Sequence, residues 1–522
     1  MKNTGKALLL ILLLLPAVAA LSVRAGESPP ADPADYPKMG EKELGQFRWV
    51  LKIADQDLGD FSNLEAIDQR GMTSYRYSIA FMTYYLALEK YHRVPAAEGV
   101  IGPRMDRLIQ KMTMKEVWEF WAEVSKGLRN LEPLMNKPYP ERHDPVAEEN
   151  IMYSGHLGHM IGLYESLYRD MKWDQAGSIV FEWSPDERYL YDNHSLQKVM
   201  HEQMATPPYC VPCEPNACFP ECNQHPVLSF MLYDQTHGTD LFAVSEKFLD
   251  FFLEKKMIDP ANHETAALYL VKQDITLRQR DPRFGNAIDL VLVPTVSLGA
   301  IKLKSSSANG WTGSMMHAWQ PEYIERHYPY QKEYHLVHED DGSASLKYDV
   351  FEPRLQYGYF AMLAAEVGDL EARDKLLQFA DNKYDPVWEN GSFYYPFNKD
   401  KKCTGLTGKL IAIARMLPKD GIWDLHNRPF DDEHFKDPAV AGADYVTASL
   451  TRAVYDRDKS ALVVTAVLDV EEAKLKLIRL DSDARYTLFI DGDKVREISG
   501  RDTATVKLTG KGEHDIVLAK KS

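Results

Sequence analysis

The sequence predicts a mainly α-helical chain, with helical hairpins over residues 41–445 and a small all-β module over residues 450–522. Three observations carry this. From about residue 40 to 430 apolar residues recur at helical spacing, and no strand alternation intervenes. Loops of Gly, Pro, Asp and Asn separate the helical stretches. After about residue 450 the chain turns to short β-branched runs. About a dozen helices fit six stacked hairpins closed into a ring; no fixed-period repeat marks closure, so an open helical stack fits the same pattern.

The chain begins with Lys2 and Lys6, an apolar run from Ala7 to Leu15, then Pro16 and small residues. This is the pattern of a signal peptide over residues 1–25, cleaved after Ala19 or Ala25, and it directs the protein to the periplasm or another extracytoplasmic space. Ala7 to Val23 also approaches the lower limit for a spanning helix, so an uncleaved membrane anchor is the alternative. Residues 26–40 are Pro- and acid-rich and read as a flexible leader. The remaining length is ample for one large core and a smaller domain. Net charge is −16 and no Lys/Arg block exceeds three residues, which excludes nucleic acid as a partner.

Tyr75 to Lys90 is apolar around most of its circumference, as in a buried helix. Met114–Leu128 and Ile151–Tyr168 are helical, followed by Ser195–Met204, Val227–Thr236, Leu241–Phe252, Gly313–Arg326, Leu355–Ala365, Ala372–Ala380 and Thr407–Met416. In the module, strands are expected at Ala461–Asp469, Lys474–Leu480, Tyr486–Ile490, Lys494–Ile498, Thr503–Leu508 and His514–Leu518, with Asp491-Gly492 as a hairpin turn. The module holds no cysteine and one histidine, so no chemistry is assigned to it.

Four of the five cysteines, Cys210, Cys213, Cys218 and Cys222, fall in the proline-rich stretch Pro207–Pro226. Prolines there exclude an ordinary helix or central strand. Such a loop serves a metal, disulfides, or chemistry at sulfur. Zinc sites usually join two separated knuckles, and no second CxxC or HxxxH pair exists, so no metal site is expected. A second stretch, Asn150 to Met160, sets Met152 and His156 on one helix face at i and i+4. Gly155 and Gly158 disfavour an exposed helix and imply close approach of a neighbour. His159 lies near the same side, but no acid stands at the HExxH position, and the simplest role for one such histidine is a hydrogen-bonded core residue.

NIMYSGHLGHMIGLYESLY, CEPNACFPECNQHPVLSFMLYDQTHGTD and the upstream YSIAFMTYYLA from Tyr77 resemble the linalool dehydratase/isomerase family, and ERHYP at 325–329 extends the likeness. The resemblance implies an (α/α)6 barrel, active-site thiols at Cys213 and Cys222, a facing imidazole at His156, a pocket wall at Met152 and a polar pocket residue at Tyr77. It also implies an upstream aspartate, for which Asp55 is the candidate and Asp57, Asp60 and Asp68 are rivals. Phe61 then stands where the family has a tyrosine, and Ser307 replaces another ahead of Trp311. The family's stabilising disulfide is absent, since no cysteine precedes Cys210.

The chemistry agrees. Dehydrating a tertiary alcohol needs a proton for the hydroxyl, a stabilised cationic transition state and a base at an adjacent C–H. A thiol with a pKa of about 8.5 is protonated at neutral pH and donates, while an imidazole near 6.5 accepts. Aromatic rings and Met exclude water and favour a cation. No cofactor is required, and covalent attack by a thiol is the alternative route. The expected function is a cofactor-independent hydro-lyase/isomerase acting on an apolar, terpenoid-like alcohol or alkene. Membrane-surface association and a homo-oligomer are left open. Cys210 and Cys218 are free to form a short disulfide that stiffens the loop, and Cys403 reads as a buried apolar residue. Two other readings remain: an exported carbohydrate-active lyase or hydrolase with paired carboxylates, and a non-enzymatic exported binding protein with a disulfide-knotted loop.

Overall fold

The computed structural model describes residues 28–64, 74–127, 139–277, 305–347, 356–397, 403–499 and 501–521. The expected signal peptide and the rival Asp68 lie outside these residues. Fifteen α-helices run through the described part: α1 Glu41–Ala54, α2 Tyr75–His92, α3 Ile101–Met112, α4 Lys115–Trp118, α5 Phe120–Val124, α6 Ile151–Tyr168, α7 Asn193–Met204, α8 Gln224–His237, α9 Val244–Glu254, α10 Ser306–Met316, α11 Pro321–His335, α12 Gln356–Glu366, α13 Leu370–Lys383, α14 Gly405–Met416 and α15 Gly421–Asn427. None is long and apolar enough to cross a membrane.

Six of them form an inner layer. Their sequences are apolar or small on nearly every face, so they are stable only when surrounded. Thus α6 is buried along its whole length except Tyr168, and α14 along all but Arg415. Packing runs α2 on α6, α6 on α8, α8 on α10, α10 on α12, α12 on α14, and α14 back on α2. Helices α1, α3, α7, α11 and α13 lie against the outside of these six.

Glycines let the inner helices approach. A Cβ on Gly155 would stand 2.8 Å from Pro226 Cδ, one on Gly158 would stand 2.7 Å from Ser229 Oγ, and one on Gly162 3.0 Å from Leu232 Cβ. This glycine stripe on α6 is the seat of α8, the close approach that Gly155 and Gly158 imply. Gly310 on α10 is tighter still, since its Cβ would lie 2.4 Å from the carbonyl carbon of Tyr359 on α12.

Two expected helices are divided. Met114–Leu128 breaks at Glu119, where ψ of −19° tightens the turn between α4 and α5, and residue 128 lies outside the described part. Gly313–Arg326 breaks before Pro321, which starts α11. Gln320 adopts φ −137° and ψ 58°, as the residue before a proline avoids the helical region.

The C-terminal strands form two sheets. One orders Ala448–Asp456, Ala461–Leu468, Gly512–Lys520, Arg485–Ile490 and Asp493–Ser499; the other orders Ala97–Glu98, Ala439–Ala441, Glu472–Ile478 and Ala504–Thr509. Asp491 and Gly492 take φ of 52° and 85°, as the two-residue hairpin turn requires. One edge of this unit is joined to the rest, because Ala97 and Glu98 pair in parallel with Val440 and Ala441. The leader, expected to be flexible, is folded from residue 28 onward. Ala31 is fully buried among Val463, Phe489 and Val517, Tyr36 Oη donates to Asp456 Oδ2 at 2.5 Å, and Met39 N–H bonds to Thr451 O at 2.9 Å. Its apolar residues find a sheet to cover, which composition alone does not reveal.

Candidate active site

The proline-rich loop between α7 and α8 is held by one side chain at its end. Asn223 accepts from Val211 N–H at 2.9 Å and donates to the carbonyls of Val211 and Phe219 at 3.0 Å each. Ile151 N–H, at the start of α6, bonds to Pro212 O at 3.3 Å and draws the loop onto the helix of His156. The loop's four thiols point inward, and Cys213 and Cys222 are 1% and 4% exposed.

All five cysteines are free thiols. The expected Cys210–Cys218 bridge is therefore not formed, although the two side chains are hydrogen-bonded to one another. Cys213 and Cys222 form the second hydrogen-bonded pair. Burial pushes the Cys213 thiol well up, and its bond to Cys222 pushes it further. Burial raises Cys222 as well, but the Cys213 bond and the Arg76 guanidinium pull against that rise. Burial thus keeps both thiols protonated at neutral pH, with Arg76 favouring negative charge on Cys222. Cys403 is fully buried, as expected, and burial moves its thiol up to about 12.

His156 stands at the head of a buried polar chain. Its Nδ1 lies 2.7 Å from Tyr84 Oη, which lies 3.3 Å from His225 Nδ1. His225 Nδ1 is 3.2 Å from His159 Nδ1, and His159 Nε2 is 2.8 Å from His426 Nε2. Both ends are fixed by groups that play one role only. Trp311 Nε1–H donates to His225 Nε2 at 2.8 Å, and Ile422 O accepts from His426 Nδ1 at 2.7 Å. Burial lowers all four imidazoles, His426 to about 4, so each is neutral and carries one proton.

The tautomers follow from these ends. His426 bears its proton on Nδ1, so its Nε2 accepts from His159 Nε2–H. His159 Nδ1 then accepts from His225 Nδ1–H, consistent with His225 Nε2 accepting from Trp311. Tyr84 is left to donate to His156 Nδ1. His156 therefore carries its proton on Nε2, an atom that is buried and has no hydrogen-bond partner among the described residues. The imidazole expected to accept a proton instead presents an N–H. A void beside Tyr84, His159 and His426 measures only about 10 Å³, room for one water at most.

Aromatic rings surround this N–H. Tyr77 stands edge-on to His156 at 5.6 Å and to Trp311 at 5.4 Å between centroids, and Phe81 packs on both His156 and Trp311. Tyr359 stacks on Trp311 at 4.8 Å. Met152 Sδ accepts from Tyr77 Oη and from Arg76 Nη2, each at 3.6 Å. Met152, Tyr77, His156 and Trp311 thus come together as expected, and Tyr77, half-buried, is at the rim.

Asp55 does not join them. It caps α1 with its side chain 52% exposed and ion-paired to Arg104 at 2.6 Å. Asp57 and Asp60 are also at the surface. Phe61 stacks on Tyr75 at 4.7 Å, outside the ring around His156. Instead two carboxyls act on the thiols, Glu214 most on Cys213 and Glu221, beside Cys222 in the chain, most on Cys222. Burial raises Glu221 to about 8, and its Oε2 is buried without a partner among the described residues. Neither of the two converging His/Cys/Asp/Glu groups among the described residues contains a cysteine.

Sequence reasoning missed Arg76, Tyr84, Glu221, His225, Tyr359 and His426. Tyr84 had a signal, two turns after Tyr77 on the same helix face, and His225 lies three residues after Cys222. His426 had none, because 267 residues separate it from His159.

The sequence matches the family model described as linalool dehydratase/isomerase over residues 76–296 and 285–401. Among solved structures, it is similar to an unsaturated glucuronyl hydrolase specific for heparin at 7% identity and TM-score 0.43, over 74% of this chain and 96% of that one. It is also similar to Dfg5 from Chaetomium thermophilum in complex with glucosamine, at 10% identity and TM-score 0.39, over 75% and 90% of the two chains.

Proposed function

The chain belongs to the linalool dehydratase/isomerase family, and on that premise we propose that it is a cofactor-independent hydro-lyase/isomerase for an apolar allylic or tertiary alcohol. The closed succession of inner-helix packings supports reading the helical part as an (α/α)6 barrel with the reaction centred at one end. The observation that carries the proposal is the donor Nε2–H of His156 facing an aromatic shell whose member Tyr359, stacked on Trp311, feels the charge of Cys222.

In this reading His156 Nε2–H holds the substrate hydroxyl. Cys222 S–H protonates that oxygen, the C–O bond breaks and water leaves. The positive charge on carbon rests against the faces of Tyr77, Phe81 and Trp311. The Cys222 thiolate is stabilised by the Cys213 S–H and by Arg76. It takes a proton from the adjacent carbon, the alkene forms, and the thiol is restored. Proton donation and removal by a positioned group each contribute about 10²–10⁴-fold. Reversal with water added at the other allylic carbon gives isomerisation. The amino-terminal apolar run supports reading this activity as extracytoplasmic.

Purified protein incubated with linalool, geraniol and short tertiary alcohols should form alkene detectable by gas chromatography. Cys222→Ser should lower kcat by about 10²-fold or more, and Cys213→Ser by less. Absence of turnover by the wild type on every one of these alcohols would end the proposal.

A further inference from the structure

At the opposite end of α8 from His225, about 18 Å along the helix for twelve residues, three side chains converge. Asp174 closes the 3-10 turn Lys172–Asp174, His194 is the second residue of α7, and His237 is the last residue of α8. His237 Nε2 lies 3.0 Å from Asp174 Oδ2, and His194 Nε2 lies 3.9 Å from Asp174 Oδ1. All three donor atoms lie within 4.8 Å of one another.

Hydrogen bonds fix which nitrogen of His237 faces Asp174. His237 Nδ1 lies 3.1 Å from the carbonyl of Tyr233, which only accepts, and 2.8 Å from Thr236 Oγ1. The Thr236 hydroxyl has its own acceptor at Leu232 O, 3.0 Å away. His237 Nδ1 therefore donates, and Nε2 is the nitrogen aimed at Asp174 Oδ2, 3.0 Å away.

The outer contacts match a metal centre. Tyr233 fixes both imidazoles by the nitrogen that faces away from Asp174, through its hydroxyl to His194 Nδ1 at 2.5 Å and through its carbonyl to His237 Nδ1. Asn193 Nδ2 donates to Asp174 Oδ1 at 3.3 Å and to the buried Glu165 at 2.8 Å. Such partners set tautomer and ring direction in metal-ligating histidines. Tetrahedral bonds of about 2.0–2.1 Å place ligand atoms about 3.3 Å apart, between the two observed spacings. His194, with its side chain 51% exposed, has the freedom to close the difference and leaves an entry path.

We propose that Asp174, His194 and His237 form a binding site for a divalent transition-metal ion of the zinc class, with an open fourth position toward solvent. Two imidazoles and one carboxylate suit zinc, cobalt or nickel better than calcium or magnesium. The ion would tie the segment after α6 to the start of α7 and the end of α8. This departs from the expectation of no metal, and it stands apart from the alcohol chemistry.

The test uses full-length protein stripped with EDTA and titrated with zinc chloride by calorimetry. One zinc per chain and a rise in thermal midpoint are expected. Tyr233→Phe, which keeps the carbonyl but removes the hydroxyl, should weaken binding about 10–100-fold. His194→Gln, at an exposed ring, should weaken it at least as much without altering the circular dichroism spectrum. With cobalt(II), visible bands without intense near-ultraviolet thiolate charge transfer are expected. No binding would overturn the proposal. Binding undiminished by His194→Gln, or thiolate bands, would overturn it by moving the metal to the cysteine loop.

Discussion

His156 turns from acceptor to donor because of groups at the far ends of its hydrogen-bond chain. Its proton position is set by Trp311 N–H at one end of the chain and Ile422 C=O at the other. Tyr84→Phe removes the O–H that Nδ1 accepts and should release the ring to mix its tautomers. Two-bond ¹H–¹⁵N spectra of histidine-labelled protein would show Nε2–H alone in the wild type and exchange in the variant, with lower kcat. The same burial makes stability depend on pH. His426 is held at about 4, so between pH about 6.5 and 4 the unfolded chain binds a proton that the folded chain refuses. Its contribution is intact above the ordinary histidine value and falls as pH drops, by about 3 kcal/mol. His156, His159 and His225 act in the same direction. Denaturant midpoints at pH 7.5 and 4.5 should differ strongly, and His426→Gln should narrow the gap.

At the level of helices, glycines do what capping and propensity do not. Gly310 lets α10 meet α12 backbone to backbone, and rigid atoms cannot yield to a methyl group 2.4 Å away. Gly310→Ala should cost about 3 kcal/mol or prevent folding. Gly40→Ala, at the start of α1 with nothing within 4 Å of its Cβ, should change stability by less than about 1 kcal/mol. Chemical denaturation of both variants checks the contrast. Helix spans were legible where burial is complete: Ile151–Tyr168 was read to the residue. They were misread at Glu119 and Gln320, where a local turn overrides an unbroken apolar pattern.

Across the whole molecule, the leader, the helices and the sheets share contacts. Ala31 and Met39 are buried under the strands, and Ala97–Glu98, from the helical part, lengthens a sheet made otherwise by the C-terminal module. Starting the chain at residue 40 removes Ala31, Tyr36 and Met39 together. The thermal midpoint of that protein should fall by several degrees against one starting at residue 26, measured by calorimetry.

The sequence by itself missed hairpins set between helices, such as Ile179–Ser184 with Glu187–Tyr191, but it determined the mainly helical class, the β-rich carboxy-terminal part and the family to which the cysteine loop and the His156 helix point. Periodicity and thiol spacing are local properties, so no folding was needed to see them. Only the tertiary structure decided that Asp55 faces solvent while Glu221 lies by the thiols, that Cys210 and Cys218 stay free, and that His156 offers a proton. Those facts depend on what stands opposite each side chain, and the partners come from segments tens to hundreds of residues away.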